Sequence, residues 1–145
     1  MNKVLFLCTG NYYRSRFAEH MFNFLVSKAG LNWQADSRGL AVGKSGKNVG
    51  QISVHTLEAL ADRSIDIGDN QRFPLQVTEQ DLQASIKVIA LDESEHRPLM
   101  NDLFPQLTDT IEYWLVHDVD KTIPSEALGE IEQKVAQLVQ NLTNG

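Results

Sequence analysis

The chain has 145 residues, 42% of them hydrophobic and 22% charged, with a formal net charge of −6 and one cysteine. That is enough chain for a single domain over residues 1–145 with a real core, and the acidic balance argues against partnership with nucleic acid or anionic membranes. One thiol excludes a disulfide framework and multi-cysteine metal sites and fits a reducing, cytoplasmic setting; no apolar run has the length of a membrane span, and the N-terminus does not read as a signal peptide.

Lys3 to Cys8 (KVLFLC) is almost wholly apolar, the pattern of a strand covered on both faces. Phe17, Ala18, Met21, Phe22, Leu25, Val26 and Ala29 then recur at helical spacing, and Gly30 stands where a helix C-cap belongs. Trp33 to Ser37 reads as a second, more polar strand at a sheet edge, with Trp33 and Trp114 as packing residues. Gly39 to Gly50 is glycine-rich and polar, a loop in which Lys44 and Lys47 are more simply solvated than a mobile rim reaching for substrate. Ile52 to Ala61 is helical, and Thr78 with Asp81 three residues on marks the start of a short helix.

Ile86 to Leu91 is another buried strand, followed at once by Asp92-Glu93-Ser94. Pro98 suits the first turn of the next helix and Pro105 its end. Ile111 to Val116 is a fourth strand, His117 to Ser125 is polar, and a last helix carries Leu128, Ile131, Val135, Leu138, Val139 and Leu142 inward. The order β-α-β-α-α-β-α-β-α is that of an α/β fold, an open and mostly parallel sheet with helices on both faces. Ligands in such sheets sit beyond the C-terminal strand ends. Three polar clusters fall there: Cys8 to Ser15, Asp92 to Ser94, and His117 to Asp120.

The first cluster, CTGNYYRS, leaves a strand and enters a helix. Backbone amides of Thr9, Gly10, Asn11, Tyr12, Tyr13, Arg14 and Ser15 that converge in such a loop make a nest for a tetrahedral oxyanion, backed by the helix N-terminus. Gly10 supplies backbone angles closed to other residues, and Asn11 tolerates left-handed geometry and ties the loop down. Arg14 brings a planar fork matched to two phosphate oxygens. The same positive surroundings favour the thiolate of Cys8, with a hydrogen bond from Ser15, and a thiolate beneath a bound phosphate is an in-line nucleophile. Core packing is the plainer reading of a lone cysteine, but it leaves these neighbours unexplained.

CTGNYYRS with the following Phe17-Ala18-Glu19 resembles the C-x5-R-S signature of the low-molecular-weight protein tyrosine phosphatases. Asp36-Ser37 and Ile89 to Ser94 resemble further segments of that family, so the likeness runs over most of the chain. It implies a three-layer sandwich with a four-stranded parallel sheet of order 2-1-3-4. It implies Cys8 as nucleophile, Arg14 as phosphate clamp, Ser15 as support for the thiolate, and Asn11 and Ser37 as residues that hold the loop's shape. It calls for no cofactor or metal, and for a monomer or weak dimer acting on a phosphotyrosine protein or a small aryl phosphate.

The family draws its general acid from an Asp-Pro-Tyr loop after the fourth strand. In WLVHDVDK, Asp118 matches by distance from the strand, with Asp120 as the alternative. The proline and paired tyrosines are replaced by Val119 and Asp120, so the usual aromatic wall is altered and Tyr12 and Tyr13 stand in for part of it. Arg16 replaces a common proline and is expected to add charge at the pocket rim. Tyr13 replaces a second cysteine of some relatives, so no protective disulfide forms at this site. His117, beside Asp118 on extended chain, reads as a surface histidine, and Asp92 as a helix-start residue. His20, His55 and His96 lack metal-ligand spacing with one another. Three rival readings remain: an arsenate reductase of the same fold, disfavoured by the absence of a second thiol; a phosphate-binding regulatory module with little turnover; and a phosphoryl relay through the cysteine.

Overall fold

A computed structural model describes residues 1–44, 48–69 and 71–144 of the chain. Its elements are β1 (Asn2–Cys8), α1 (Arg14–Ala29), β2 (Trp33–Gly39), a single 3-10 turn (Val42–Lys44), α2 (Val54–Asp62), α3 (Glu79–Gln83), β3 (Lys87–Ala90), α4 (Glu93–Leu103), β4 (Glu112–Tyr113) and α5 (Pro124–Asn144). The four strands form one sheet in the order β2-β1-β3-β4. Every pairing is parallel, with Cys8 opposite Gly39 and Leu7 opposite Ala90. The reading of the Lys44 and Lys47 side chains lies outside the described residues.

Strand β1 shows why the sheet is covered twice. Val4 and Phe6 point into one cluster with Phe17, Phe22, Trp114, Ile131 and Val135, while Leu5 and Leu7 point into another with Leu40, Val77, Leu82 and Met100. This is the period-two alternation of a strand applied to a sequence with no polar side. Helices α1 and α5 close the first face, and α3 and α4 carry Leu82 and Met100 to the second. Among the described residues no helix is long and apolar enough to cross a membrane.

The helix ends follow local chemistry. Gly30 caps α1 in the left-handed conformation at φ 68°, and Thr78 and Asp81 form the reciprocal capping box of α3. Strand β2 runs on to Gly39, into the expected loop, and two boundaries differ more. Helix α4 begins at Glu93 with Asp92 as N-cap, its side chain accepting from the Ser94 amide, so Pro98 lies inside the helix and not in its first turn. The Asp-Glu-Ser start, a cap followed by acidic residues at the positive helix end, outweighs the backbone bond the proline forfeits. Strand β4 is two residues long where six were expected. Beyond Tyr113 the chain still bonds to its neighbour, Trp114 N to Ala90 O and Val116 N to Leu91 O, but β3 has by then turned toward α4 and the ladder loses its regular register.

Candidate active site

The loop from Thr9 to Tyr13 joins the central strand β1 to α1, so it opens at the C-terminal edge of the sheet. Its tightest residue is Asn11, at φ 51°, in the left-handed region that asparagine tolerates better than most. Gly10, expected to supply the special angles, is not among the described residues with positive φ; the asparagine takes that task. A second device comes from β2. A Cβ on Gly39 would lie 2.8 Å from the Thr9 carbonyl oxygen and 3.1 Å from the Asn11 nitrogen, so only glycine lets the neighbouring strand end pass this close to the loop. Gly39→Ala is therefore expected to cost about 1–3 kcal/mol of stability, read by urea unfolding; a cost near zero would show that the loop does not depend on this contact.

The Asn11 amide organises the interior. Its Nδ2 donates to Ser15 Oγ and to Ser37 Oγ, both at 2.9 Å. Having accepted from Asn11, the Ser15 hydroxyl turns its proton toward Cys8 Sγ, 3.0 Å away. Ser37 passes its own proton to Glu19 Oε1 at 2.5 Å. Asn11 Oδ1 accepts from Arg72 Nη1 at 2.8 Å and from the Leu75 amide at 3.0 Å. Asn11, Ser15 and Ser37 are fully buried, so the three residues expected to support the loop lie behind it. Arg72, Glu19 and Gly39 complete this support; sequence reading passed over Arg72, and expected no such role of Glu19 in the motif or of Gly39 in its loop.

Arg16, expected at the rim, is buried instead. Its guanidinium donates to the carbonyls of Asn11, Gln51 and Arg72, which pins the loop from behind. Burial and the nearby charge of Arg72 pull it down to about 10, so it still carries its charge at neutral pH. Its neighbour His20 is buried and held neutral, down to about 4, by burial and the charges of Arg16 and Arg72.

Arg14 is the charge at the front. Its side chain is buried; Nη1 donates to the Val116 carbonyl at 2.9 Å and Nη2 to Glu95 Oε2 at 2.8 Å. Asp92 Oδ2 lies 3.7 Å from Nη1 and Asp118 Oδ2 3.7 Å from Nη2. Burial works against the guanidinium charge, but Cys8, Glu95 and Asp118 outweigh it and hold Arg14 above its ordinary value. Among the described residues its Nε is buried without a partner.

A cavity of about 510 Å³ opens over this arrangement, lined by Cys8, Thr9, Gly10, Tyr12, Tyr13 and Arg14 from the loop. Val54 and His55 of α2 line it too, with Glu95, Asp118, Val119 and Asp120. Asp118 and not Asp120 makes the approach to Arg14, and the Val119 amide donates to its Oδ1 at 2.9 Å. Tyr12 and Tyr13 both line the cavity. Burial, with the charge of Asp118, pushes the Tyr13 phenol up to about 12.

His117 departs from its expected place. It is half-buried, and its Nδ1 lies 2.8 Å from Asp92 Oδ2, which ties the segment carrying Asp118 to the cap of α4. Burial would raise Asp92, but bonds from Ser94 and His117 and the charge of Arg14 hold it below the usual carboxylate range. Asp92 is a helix cap as expected, and it braces two other residues of the site besides. Glu95 Oε2 accepts from Arg14 Nη2, and His96 Nε2 lies 3.1 Å from Thr9 Oγ1. Glu95 and His96 directly follow the Asp92 to Ser94 cluster, so extending that cluster by one turn of helix is the signal that would have found them.

Over residues 3–144 the chain matches the low molecular weight phosphotyrosine protein phosphatase family. It is 29% identical to a protein-arginine-phosphatase of Bacillus subtilis (strain 168) over 108 residues, 74% of this chain and 67% of that protein. YfkJ from Bacillus subtilis is similar in structure with a TM-score of 0.83 at 28% identity, covering 99% of this chain and 96% of that one. The low molecular weight protein tyrosine phosphatase from T. tengcongensis gives 0.80 at 25% identity, with 97% and 99% covered. These relatives are named for two different phosphorylated side chains, tyrosine and arginine. With the sheet order of those relatives and a match that runs almost end to end, the chain belongs to the low molecular weight phosphotyrosine protein phosphatase family, and its activity class is that of a phosphatase.

Proposed function

We propose that the protein hydrolyses phosphomonoesters through a phosphocysteine, with phosphotyrosine on a protein or a small aryl phosphate as substrate. The observation that carries this reading is the pairing in the cavity: the Cys8 sulfur within 3.0 Å of the Ser15 hydroxyl, with a buried arginine whose Nε has no partner among the described residues. The loop amides and Arg14 hold the phosphoryl oxygens and stabilise their growing charge. The Cys8 thiolate attacks phosphorus as the bond to the aryl oxygen breaks, and Asp118 gives that oxygen its proton. Asp118, now a carboxylate, takes a proton from water. The water oxygen attacks phosphorus, the S–P bond breaks, and inorganic phosphate and the thiolate are released. Asn11, Ser15 and Ser37 act as positioning residues for the nucleophile.

Tyr12, Tyr13, Val54 and Val119 around the cavity support an aromatic leaving group, since they offer a ring apolar surface on its way to the sulfur. A second reading, phosphoarginine, draws on the likeness to a protein-arginine-phosphatase and on the carboxylates of Glu95, Asp118 and Asp120, which suit a guanidinium. One peptide carrying either phosphotyrosine or phosphoarginine decides between them. The aryl reading expects kcat/KM at least tenfold higher for phosphotyrosine; the reverse ratio overturns the tyrosine assignment and leaves the phosphocysteine route in place.

A further inference from the structure

Glu95 is the third residue of α4, the position from which a glutamate normally reaches back to the amide of the N-cap residue. Here that amide is taken: Asp92 N donates to His96 Nδ1 at 3.0 Å. His96 is buried and lowered from its ordinary value by burial, so its ring is neutral at pH 7. With Nδ1 accepting, the ring proton sits on Nε2, 3.1 Å from both Thr9 Oγ1 and Glu95 Oε2. Released from its capping task, Glu95 extends outward, and its Oε2 receives the Thr9 hydroxyl and Arg14 Nη2, the latter at 2.8 Å. Burial would raise Glu95, but His96, Arg14 and Thr9 together hold it well below the usual carboxylate range, so it is fully ionised.

This carboxylate is not needed to aim Arg14. Nη1 is already fixed by the Val116 carbonyl at 2.9 Å, with buried Asp92 behind it at 3.7 Å. Glu95 differs from Asp92 in lining the cavity with its side chain one-third exposed, and it holds Nη2, the terminal nitrogen that Val116 leaves open. An anion is thus already bound, at the mouth of the loop, by a loop hydroxyl and the clamp arginine. Resting on the phosphate-binding role given to this loop above, we propose that Glu95 is an affinity-determining residue for the reaction. It is an internal competitor for Arg14 that an incoming phosphoryl group displaces from Nη2, and its charge hastens the departure of product phosphate.

The test is calorimetric binding of inorganic phosphate to the wild-type protein and to Glu95→Gln at pH 7 and fixed salt, with folding checked by circular dichroism. The glutamine keeps the shape and an acceptor for Arg14 but removes the charge, and phosphate is expected to bind at least tenfold more tightly. Unchanged or weaker binding in a folded Glu95→Gln overturns the proposal, since Glu95 would then help Arg14 and not vie for it. A wild-type crystal soaked in phosphate is the second measurement. Glu95 found off Nη2 supports displacement, and Glu95 still on Nη2 beside bound phosphate contradicts it. If neither protein binds phosphate, the loop itself has been misread and the proposed function falls with this inference; phosphate bound equally by both removes only the inference.

Discussion

Cys8→Ser is expected to lower turnover of an aryl phosphate by about 10⁴-fold or more while leaving the protein folded and able to bind phosphate. The size follows from the division of labour. Ser15 bonds the sulfur, Asn11 holds Ser15 and Arg14 lines the same cavity, and a serine oxygen in place of the sulfur remains a protonated, weak nucleophile. Binding should survive because loop amides and guanidinium, not the sulfur, hold the phosphoryl oxygens. Steady-state kinetics with phosphate-inhibition controls checks both halves. A serine variant within tenfold of wild type would place the chemistry elsewhere.

The second large effect concerns the acid. Asp118→Asn is expected to reduce kcat by about 10²–10³-fold, and Asp120→Asn to change it less than about threefold, as for a residue outside the transfer. Asp118 stands 3.7 Å from Arg14 Nη2 with its side chain 42% exposed. That puts it on the cavity lining and open to water, where the proposed acid and base would act. Asp120 also lines the cavity but is exposed, and no hydrogen bond aims it inward among the described residues. The loss at Asp118 should grow as the leaving group becomes more basic, because a good leaving phenolate needs little proton donation. Plotting log kcat against leaving-group pKa for both variants separates the two residues. A flat Asp118→Asn response, or a steep one for Asp120→Asn, would exchange their roles.

The parts of this site that could be read from sequence are those written locally. A strand with no polar side, a loop of cysteine, glycine, asparagine and arginine, and a helix with apolar residues at regular spacing sit within one continuous stretch. Ser37 and Asp118 were within reach because the first closes a recognisable strand in an Asp-Ser pair that resembles the family's, and the second stands at the family's distance beyond one. Arg72 was not, since it arrives from an aperiodic segment between α2 and α3 and contacts the loop only through the tertiary fold. Gly39 reads as the first residue of a loop and is instead the end of β2, and what makes it necessary is the Thr9 backbone on another strand's loop. Arg16 was misplaced for a related reason: a long cation near a pocket reads as a rim residue until the carbonyls that absorb it are known. Pro98 misled because proline's preference for a first turn is weaker than a capping aspartate six residues earlier.

The central claim is that phosphate passes through Cys8, and rapid acid quench tests it most directly. Asp118→Asn keeps the nucleophile and slows both steps, the second most, so an aryl phosphate with a good leaving group should load the enzyme. Peptide mass spectrometry of the quenched protein should then find one phosphoryl group per chain, on the Cys8 peptide, appearing as fast as the phenol is released. Phenol release with an unmodified Cys8 peptide at every quench time, or a phosphoryl group on another residue, would contradict the account.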